Sequence, residues 1–148
     1  MKKMKRIFSI EIAIEYKTCL YAFCVLFFYC VYLLCVGTFS ANILYLFEIF
    51  CVAYVIGYLQ YYLLDNFDEA ERLSGRNWAG LLICTTLYTA VSYLLNWLDR
   101  NLIATMIFFV FMFAMYYFIY LINKVKRFID TENLNEMLLE FKKGEKHD

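Results

Sequence analysis

The side chains of this chain that most readily act as nucleophiles or metal ligands are six cysteines and one histidine. Zinc sites need thiolates or imidazoles that converge, typically from a C-x-x-C spacing, and no two cysteines here are spaced in that way. The histidine, His147, lies far along the chain from every cysteine, and no motif would hold it in place for acid–base chemistry. We therefore expect no metal, no cofactor and no enzymatic activity. The cysteines are predicted to be small packing residues: Cys19, Cys24, Cys30, Cys35, Cys51 and Cys84.

A second set of polar side chains lies within one long apolar segment. Thr85, Thr89, Ser92 and Asn96 are spaced at i, i+4, i+7 and i+11, which places them on one face of a helix. Such a face could line a path for a solute, or it could pack against another helix. We favour packing, because hydroxyl groups exchange hydrogen bonds between membrane helices.

Two pairs of small residues support the packing interpretation. Ala53 and Gly57 are four residues apart in the second apolar segment, and Gly80 and Cys84 have the same spacing in the third. Small residues at this spacing let two helix backbones approach closely. The sequence therefore predicts that the second and third helices make the tightest contact.

Glu48 is the single acidic residue within the apolar segments, where a charge is expensive. It lies about five residues into the second segment, near a membrane surface, where its carboxylate could reach water or Arg100. Trp78 and Trp97 lie at the two ends of the third segment, as is typical of residues at membrane–water interfaces. We predict an interfacial position for all three side chains.

The elements that must position these residues are four apolar segments, each about as long as the roughly 20-residue helix that crosses a bilayer. The chain is 64% hydrophobic, contains no proline and has only five glycines, so long uninterrupted helices are expected. The fold class is predicted as an all-α multi-pass membrane protein of four antiparallel transmembrane helices, in one domain over residues 1–148. The spans are expected at about 18–37, 43–64, 78–97 and 102–122.

Charge is distributed unevenly around these segments, although the formal net charge is zero. Thirteen of the fourteen Lys and Arg residues lie before the first segment, between the second and third, or after the fourth. Basic residues collect on the cytoplasmic side of membrane proteins. The sequence therefore predicts a bacterial cell-membrane protein with both termini in the cytoplasm and almost nothing outside.

Two polar cytoplasmic segments could bind a partner. The connection 65–77 contains four acidic residues, which could dock a basic partner or pair with the lysines of the same chain: Asp65, Asp68, Glu69 and Glu71. In the tail 123–148, Asp130 and Thr131 could cap a short, separate amphipathic helix. Its apolar stripe has the helical spacing i, i+3, i+4 and i+7 and comprises Leu134, Met137, Leu138 and Phe141.

The second half of the chain resembles a small bacterial membrane-protein family of four spans, known as domain of unknown function 3021. The resemblance rests on the segment 78–97 with its threonines, on the aromatic residues of 113–120, and on the motif of residues 130–143, which contains Leu-Asn-x-x-Leu-like spacing. Many members carry a histidine early in the third span, where this chain has Tyr88. Members are often encoded beside LytTR-type DNA-binding regulators, which implies a membrane protein that restrains a cytoplasmic transcription regulator.

The leading functional hypothesis is thus a regulatory or scaffolding partner of a cytoplasmic protein, held in the lipid bilayer and making no direct contact with nucleic acid. The alternative is a small transport or export protein that uses the polar face of the third helix. A single four-span chain with one peripheral carboxylate offers little to bind ions, so this alternative needs a homo-oligomer.

Overall fold

A computed structural model describes residues 2–64 and 66–144, with side chains described for all of these except 2, 3, 5, 6, 140, 141, 143 and 144. Within this part of the chain the fold is all-α, as predicted. Four α-helices and one short 3-10 turn follow each other in the order α1 (Lys2–Val36), α2 (Ile43–Leu63), the 3-10 turn (Phe67–Glu69), α3 (Gly75–Leu94) and α4 (Leu102–Gly144).

The connections 37–42 and 95–101 lie at one end of the bundle, which we call the hairpin end. The Tyr32 hydroxyl, near the end of α1, binds the connection 95–101 there by donating to the carbonyl of Leu98 at 3.2 Å and to the carboxylate of Asp99 at 3.1 Å. Asn42 caps α2 through the backbone N–H of Leu44. The connection 64–74 lies at the opposite end, which we call the loop end.

Three of the helices are long and apolar enough to cross a membrane: Ile7–Val36, Ile43–Leu63 and Leu102–Leu139. Large apolar side chains cover their outer surfaces, for example Phe23, Phe47 and Val110, each about two-thirds exposed. This composition indicates a membrane protein, because water would not tolerate so wide an apolar surface. α3 does not reach the same hydropathy, and its threonines and N-terminal polar residues account for the difference.

The predicted separate C-terminal helix is wrong, because α4 runs without a break from Leu102 to Gly144. The hydroxyl of Thr131 does not cap a new helix; it donates to the carbonyl of Arg127, one turn earlier in the same helix, at 2.8 Å. No glycine or proline lies between Leu102 and Gly144. At 1.5 Å per residue, this helix of 43 residues is about 65 Å long, roughly twice the thickness of a hydrocarbon core.

The prediction that α2 and α3 make the tightest contact is also wrong, since α2 packs most extensively against α1 and α3 against α4. Gly57 lies against α1, where an added Cβ would come within 2.8 Å of the Thr18 hydroxyl oxygen. Gly80 lies against the 3-10 turn, where a Cβ would come within 2.9 Å of the Phe67 ring. The small residues therefore allow close packing as predicted, but against other partners.

Candidate functional site at the loop end

The loop end contains a buried ion pair that joins α1 to the connection 64–74. The Lys17 ammonium lies 2.7 Å from the Asp68 carboxylate, and the two side chains are only 4% and 1% exposed. The other carboxylate oxygen of Asp68 accepts a hydrogen bond from the Tyr21 hydroxyl at 2.9 Å. Lys17 also donates to Asn66 and lies 3.1 Å from Glu69, which is half exposed. A charged pair is thus held inside the bundle with its hydrogen-bonding capacity largely used.

The 3-10 turn enters the bundle because the backbone reverses sharply just before it. Asn66 adopts a left-handed conformation with φ 53°, which asparagine tolerates better than most residues. The N–H of Asn66 then donates to the carbonyl of Gln60, near the end of α2. Phe67 is fully buried, with its ring centroid 5.6 Å from that of Tyr116 in α4. The same turn therefore buries both the apolar Phe67 and the charged Asp68.

Side chains of α4 hold the same connection from the other side by donating hydrogen bonds to the backbone carbonyls of the connection. The Asn123 amide donates to the Asp68 carbonyl at 3.1 Å. The Arg127 guanidinium donates to the carbonyls of Glu69 and Ala70, the latter at 2.8 Å. These bonds satisfy carbonyl groups that a short turn leaves without helical partners. The connection 64–74 is therefore bound to both α1 and α4.

The acidic residues predicted for docking differ in their exposure and in their partners. Asp68 is buried and pairs with Lys17, so pairing within the chain, the alternative that the sequence left open, is observed here. Glu69 pairs with the same lysine at its half-exposed carboxylate, and Glu71 is exposed. Asp65 lies outside the described residues.

The predicted apolar stripe of the tail lies on α4, beyond the end of the bundle. Leu134, Met137 and Leu138 are 62%, 68% and 53% exposed, so among the described residues little packs against them. The side chain of Phe141 lies outside the described part of the chain. We refer to residues 124–144 as the α4 extension and to Leu134, Met137 and Leu138 as the docking stripe.

The docking stripe continues the face by which α4 packs into the bundle. Tyr116, Tyr120, Asn123 and Arg127 all point inward, as their burial and their bonds to the connection 64–74 show. Leu134 follows Arg127 by seven residues, or two helical turns, and so falls on the same side of the helix. Sequence analysis found the stripe but missed this continuity, because it placed the stripe on a separate helix.

The polar face of α3 bonds mainly to its own helix. The hydroxyls of Thr85 and Thr89 donate to carbonyls four residues earlier at 2.8 Å, and that of Ser92 donates to Thr89 at 3.1 Å. The expected hydrogen bonds between helices are therefore not made by these hydroxyls within the described chain. Asn96 is not on the helical face at all, because α3 ends at Leu94 and Asn96 is left-handed with φ 62°. Ala53 and Cys84, by contrast, are fully buried, as packing residues should be.

Glu48 lies near the hairpin end, as expected, but its partner differs from the prediction. Its carboxylate accepts a hydrogen bond from the indole N–H of Trp97 at 3.0 Å rather than pairing with Arg100. Trp97 is only 2% exposed and belongs to the core, whereas Trp78 is more than one-third exposed and stacks on Phe113. Only Trp78 has the exposure expected of an interfacial residue.

Sequence analysis missed Lys17, Tyr21 and Gln60 as interior residues. Lys17 was counted only as a positive charge before the first span, and no local signal connects it to Asp68, 51 residues later. Gln60 is fully buried, and its amide lies beside the Tyr21 hydroxyl without completing a hydrogen bond. In the part of the chain that the structure describes, no group of three or more His, Cys, Asp or Glu residues could hold a metal ion.

Comparison with known proteins gives no family. No family model matches the chain, no curated protein matches it, and no solved structure matches its fold. The resemblance to the four-span family described above therefore remains a prediction.

Proposed function

We propose that this protein is a four-span membrane protein that binds a cytoplasmic regulatory protein through the α4 extension. The observation that carries the proposal is the docking stripe, an exposed apolar surface that continues the inward face of α4 two to three turns past the bundle. An unpartnered apolar face outside lipid is typical of a protein-interaction surface.

Four crossings are supported by the path of the chain. α3 has 20 residues, which at 1.5 Å each extend about 30 Å, the thickness of a hydrocarbon core. It begins beside the connection 64–74 and ends where Trp97 and Leu98 contact α2 and α1 at the hairpin end. The burial of its polar face against other helices would let a less apolar helix cross.

A cytoplasmic loop end is supported by charge. Arg100 is the only Lys or Arg residue in the two connections of the hairpin end, whereas the other thirteen such residues lie in α1, in the connection 64–74, in the first turn of α3, in α4 or after residue 144. The positive-inside rule then assigns the loop end, with both helix extensions, to the cytoplasm. The short hairpin-end connections leave little surface for a partner on the other side.

The charge around the docking stripe limits the chemistry of the partner. The α4 extension has basic residues at both ends, but between residues 130 and 140 it carries four acidic residues and no basic one, and Glu69 and Glu71 add exposed carboxylates nearby. A partner surface with an apolar ridge and basic flanks would complement it. The resemblance to a family encoded beside LytTR-type regulators suggests such a regulator, whose DNA-binding surface would itself be basic.

The experiment is co-expression of the chain with a LytTR-type regulator, followed by measurement of the regulator in the membrane fraction. Leu134→Ser with Leu138→Ser should release the regulator, since both leucines belong to the docking stripe. Ile129→Ser with Leu139→Ser is the matched control, because these residues are 49% and 59% exposed on the same extension and their helical spacing places them on the side away from the stripe.

Loss of residues 130–148 should also release the regulator and leave insertion of the four helices intact. Full retention of the regulator by the Leu134→Ser, Leu138→Ser variant would remove the stripe from the proposal. The transport alternative is not favoured by any observation here, because the α3 hydroxyls that would line a path bond to their own helix.

A further inference from the structure

A groove runs along the outside of the bundle between α1 and α2. It has a volume of about 550 Å³, and its walls are almost entirely apolar. It opens outward, beside side chains such as Phe50 and Val55 that are 47% and 65% exposed and would face lipid. The lining residues are Glu15, Thr18 and Cys19 of α1 and Phe50, Cys51, Tyr54 and Val55 of α2.

Two acidic side chains flank the end of this groove nearer the loop end. Glu15 lines the groove, is exposed and takes part in no hydrogen bond or ion pair within residues 2–64 and 66–144. Glu11, one turn earlier, accepts hydrogen bonds from the hydroxyls of Tyr58 and, at 3.0 Å, Tyr54. Among the described side chains, neither carboxylate pairs with a cation, and Lys17, two residues after Glu15, points inward to Asp68.

The Thr18 hydroxyl does not face this groove. Its oxygen is buried against Gly57, where an added Cβ would come within 2.8 Å of it. The unpaired carboxylate of Glu15 at the edge of a lipid-facing groove is costly. A ligand that supplies a cation at this end would remove that cost.

Polar and apolar groups are arranged along the groove in the same order as in a lipid of one leaflet. The carboxylates lie toward the loop end, near the level where Lys17 and Asp68 mark the edge of the bundle. Cys19 and Phe50 lie toward the middle of the helices, where the walls are apolar. A lipid places its headgroup at the interface and its acyl chains toward the midplane, in the same order.

We propose that this groove binds phosphatidylethanolamine from the leaflet at the loop end. The primary ammonium of the headgroup lies between Glu11 and Glu15, with an acyl chain along the groove. A primary ammonium donates charge-assisted hydrogen bonds to carboxylates, which the quaternary ammonium of phosphatidylcholine cannot do. A net anionic lipid such as phosphatidylglycerol would be repelled by the two carboxylates.

The test uses the full chain in nanodiscs of phosphatidylcholine with a minor fraction of phosphatidylethanolamine or phosphatidylglycerol. The readouts are lipid retained on release into the gas phase, by native mass spectrometry, and the thermal unfolding midpoint. We expect phosphatidylethanolamine alone to be retained and to raise the midpoint. Glu15→Gln should weaken its retention about tenfold, the effect of one charged hydrogen bond. Glu71→Gln, which removes an exposed carboxylate elsewhere, should leave retention unchanged.

A second variant tests the apolar part of the site. Cys51→Trp places a bulky ring in the groove and leaves both carboxylates in place, so retention should fall while the unfolding midpoint in pure phosphatidylcholine stays the same. Equal retention of all three lipids, or full retention by both variants, would overturn the proposal. Retention of a lipophilic cation such as tetraphenylphosphonium, dependent on Glu15 and without preference for phosphatidylethanolamine, would also overturn it.

Discussion

Breaking the ion pair between Lys17 and Asp68 should destabilise the bundle strongly. Asp68→Asn removes the charge that balances a lysine whose side chain is 4% exposed, and it weakens the hydrogen bonds at 2.7 Å from Lys17 and 2.9 Å from Tyr21. Removal of one member of a buried pair costs about 3–5 kcal/mol, because the remaining charge stays buried. We expect a loss of that size in the free energy of unfolding, measured in mixed micelles by circular dichroism.

Two comparisons separate this effect from a general loss of packing. The double variant Lys17→Met, Asp68→Leu removes both charges, so it should recover most of the lost stability, as replacement of a buried pair by apolar residues often does. Glu69→Gln is the control, because Glu69 pairs with the same lysine but is half exposed. It should lower the free energy of unfolding by at most about 1 kcal/mol. Equal costs for Asp68→Asn and Glu69→Gln would refute the burial on which the reasoning rests.

Two further predictions concern contacts elsewhere in the fold. Gly57→Ala should lower the free energy of unfolding by about 1–3 kcal/mol, because the added Cβ would meet an α1 hydroxyl oxygen at 2.8 Å. Gly75→Ala, where a Cβ would have no atom within 4 Å, should be close to neutral in the same unfolding assay. Glu48→Leu should lower the free energy of unfolding by about 1–3 kcal/mol, because it leaves the buried Trp97 indole N–H without an acceptor. Glu48→Gln should retain most of the stability, because its amide oxygen still accepts the hydrogen bond. Unchanged unfolding of the Glu48→Leu variant would show that this bond does not form.

The helix boundaries that the sequence predicts best are those with local signals. The starts of α2 at Ile43 and α4 at Leu102 agree with the predicted spans. Asparagine precedes each, and Asn42 and Asn101 accept hydrogen bonds from the first turns of the helices. Local chemistry of this kind is visible in the sequence because cap and helix are neighbours.

The site at the loop end could not be predicted in the same way. Lys17 and Asp68 lie 51 residues apart, and local sequence patterns assign them to unrelated segments. Lys17 belongs to the basic segment before the first span, and Asp68 belongs to the acidic connection. Their pairing depends on Asn66, whose left-handed backbone turns Phe67 and Asp68 inward. A single sequence carries no signal for such a contact, because burial of a charge depends on the tertiary packing around it.

The length of α4 also bears on the role of its stripe. Asn123 and Arg127 bind the connection 64–74, so the bundle ends at about their level, and the docking stripe lies roughly 10 Å or more beyond Arg127 at 1.5 Å per residue. If the loop end meets the cytoplasm, Leu134 and Leu138 stand in water on the face that would otherwise pack inward. Each exposed leucine forgoes about 1.5–3 kcal/mol of burial, which is free energy available to a partner that covers the stripe. Because Arg127 fixes the base of the extension to a connection that Asp68 ties to α1, that partner would bind a rigidly oriented helix and lose less entropy on binding.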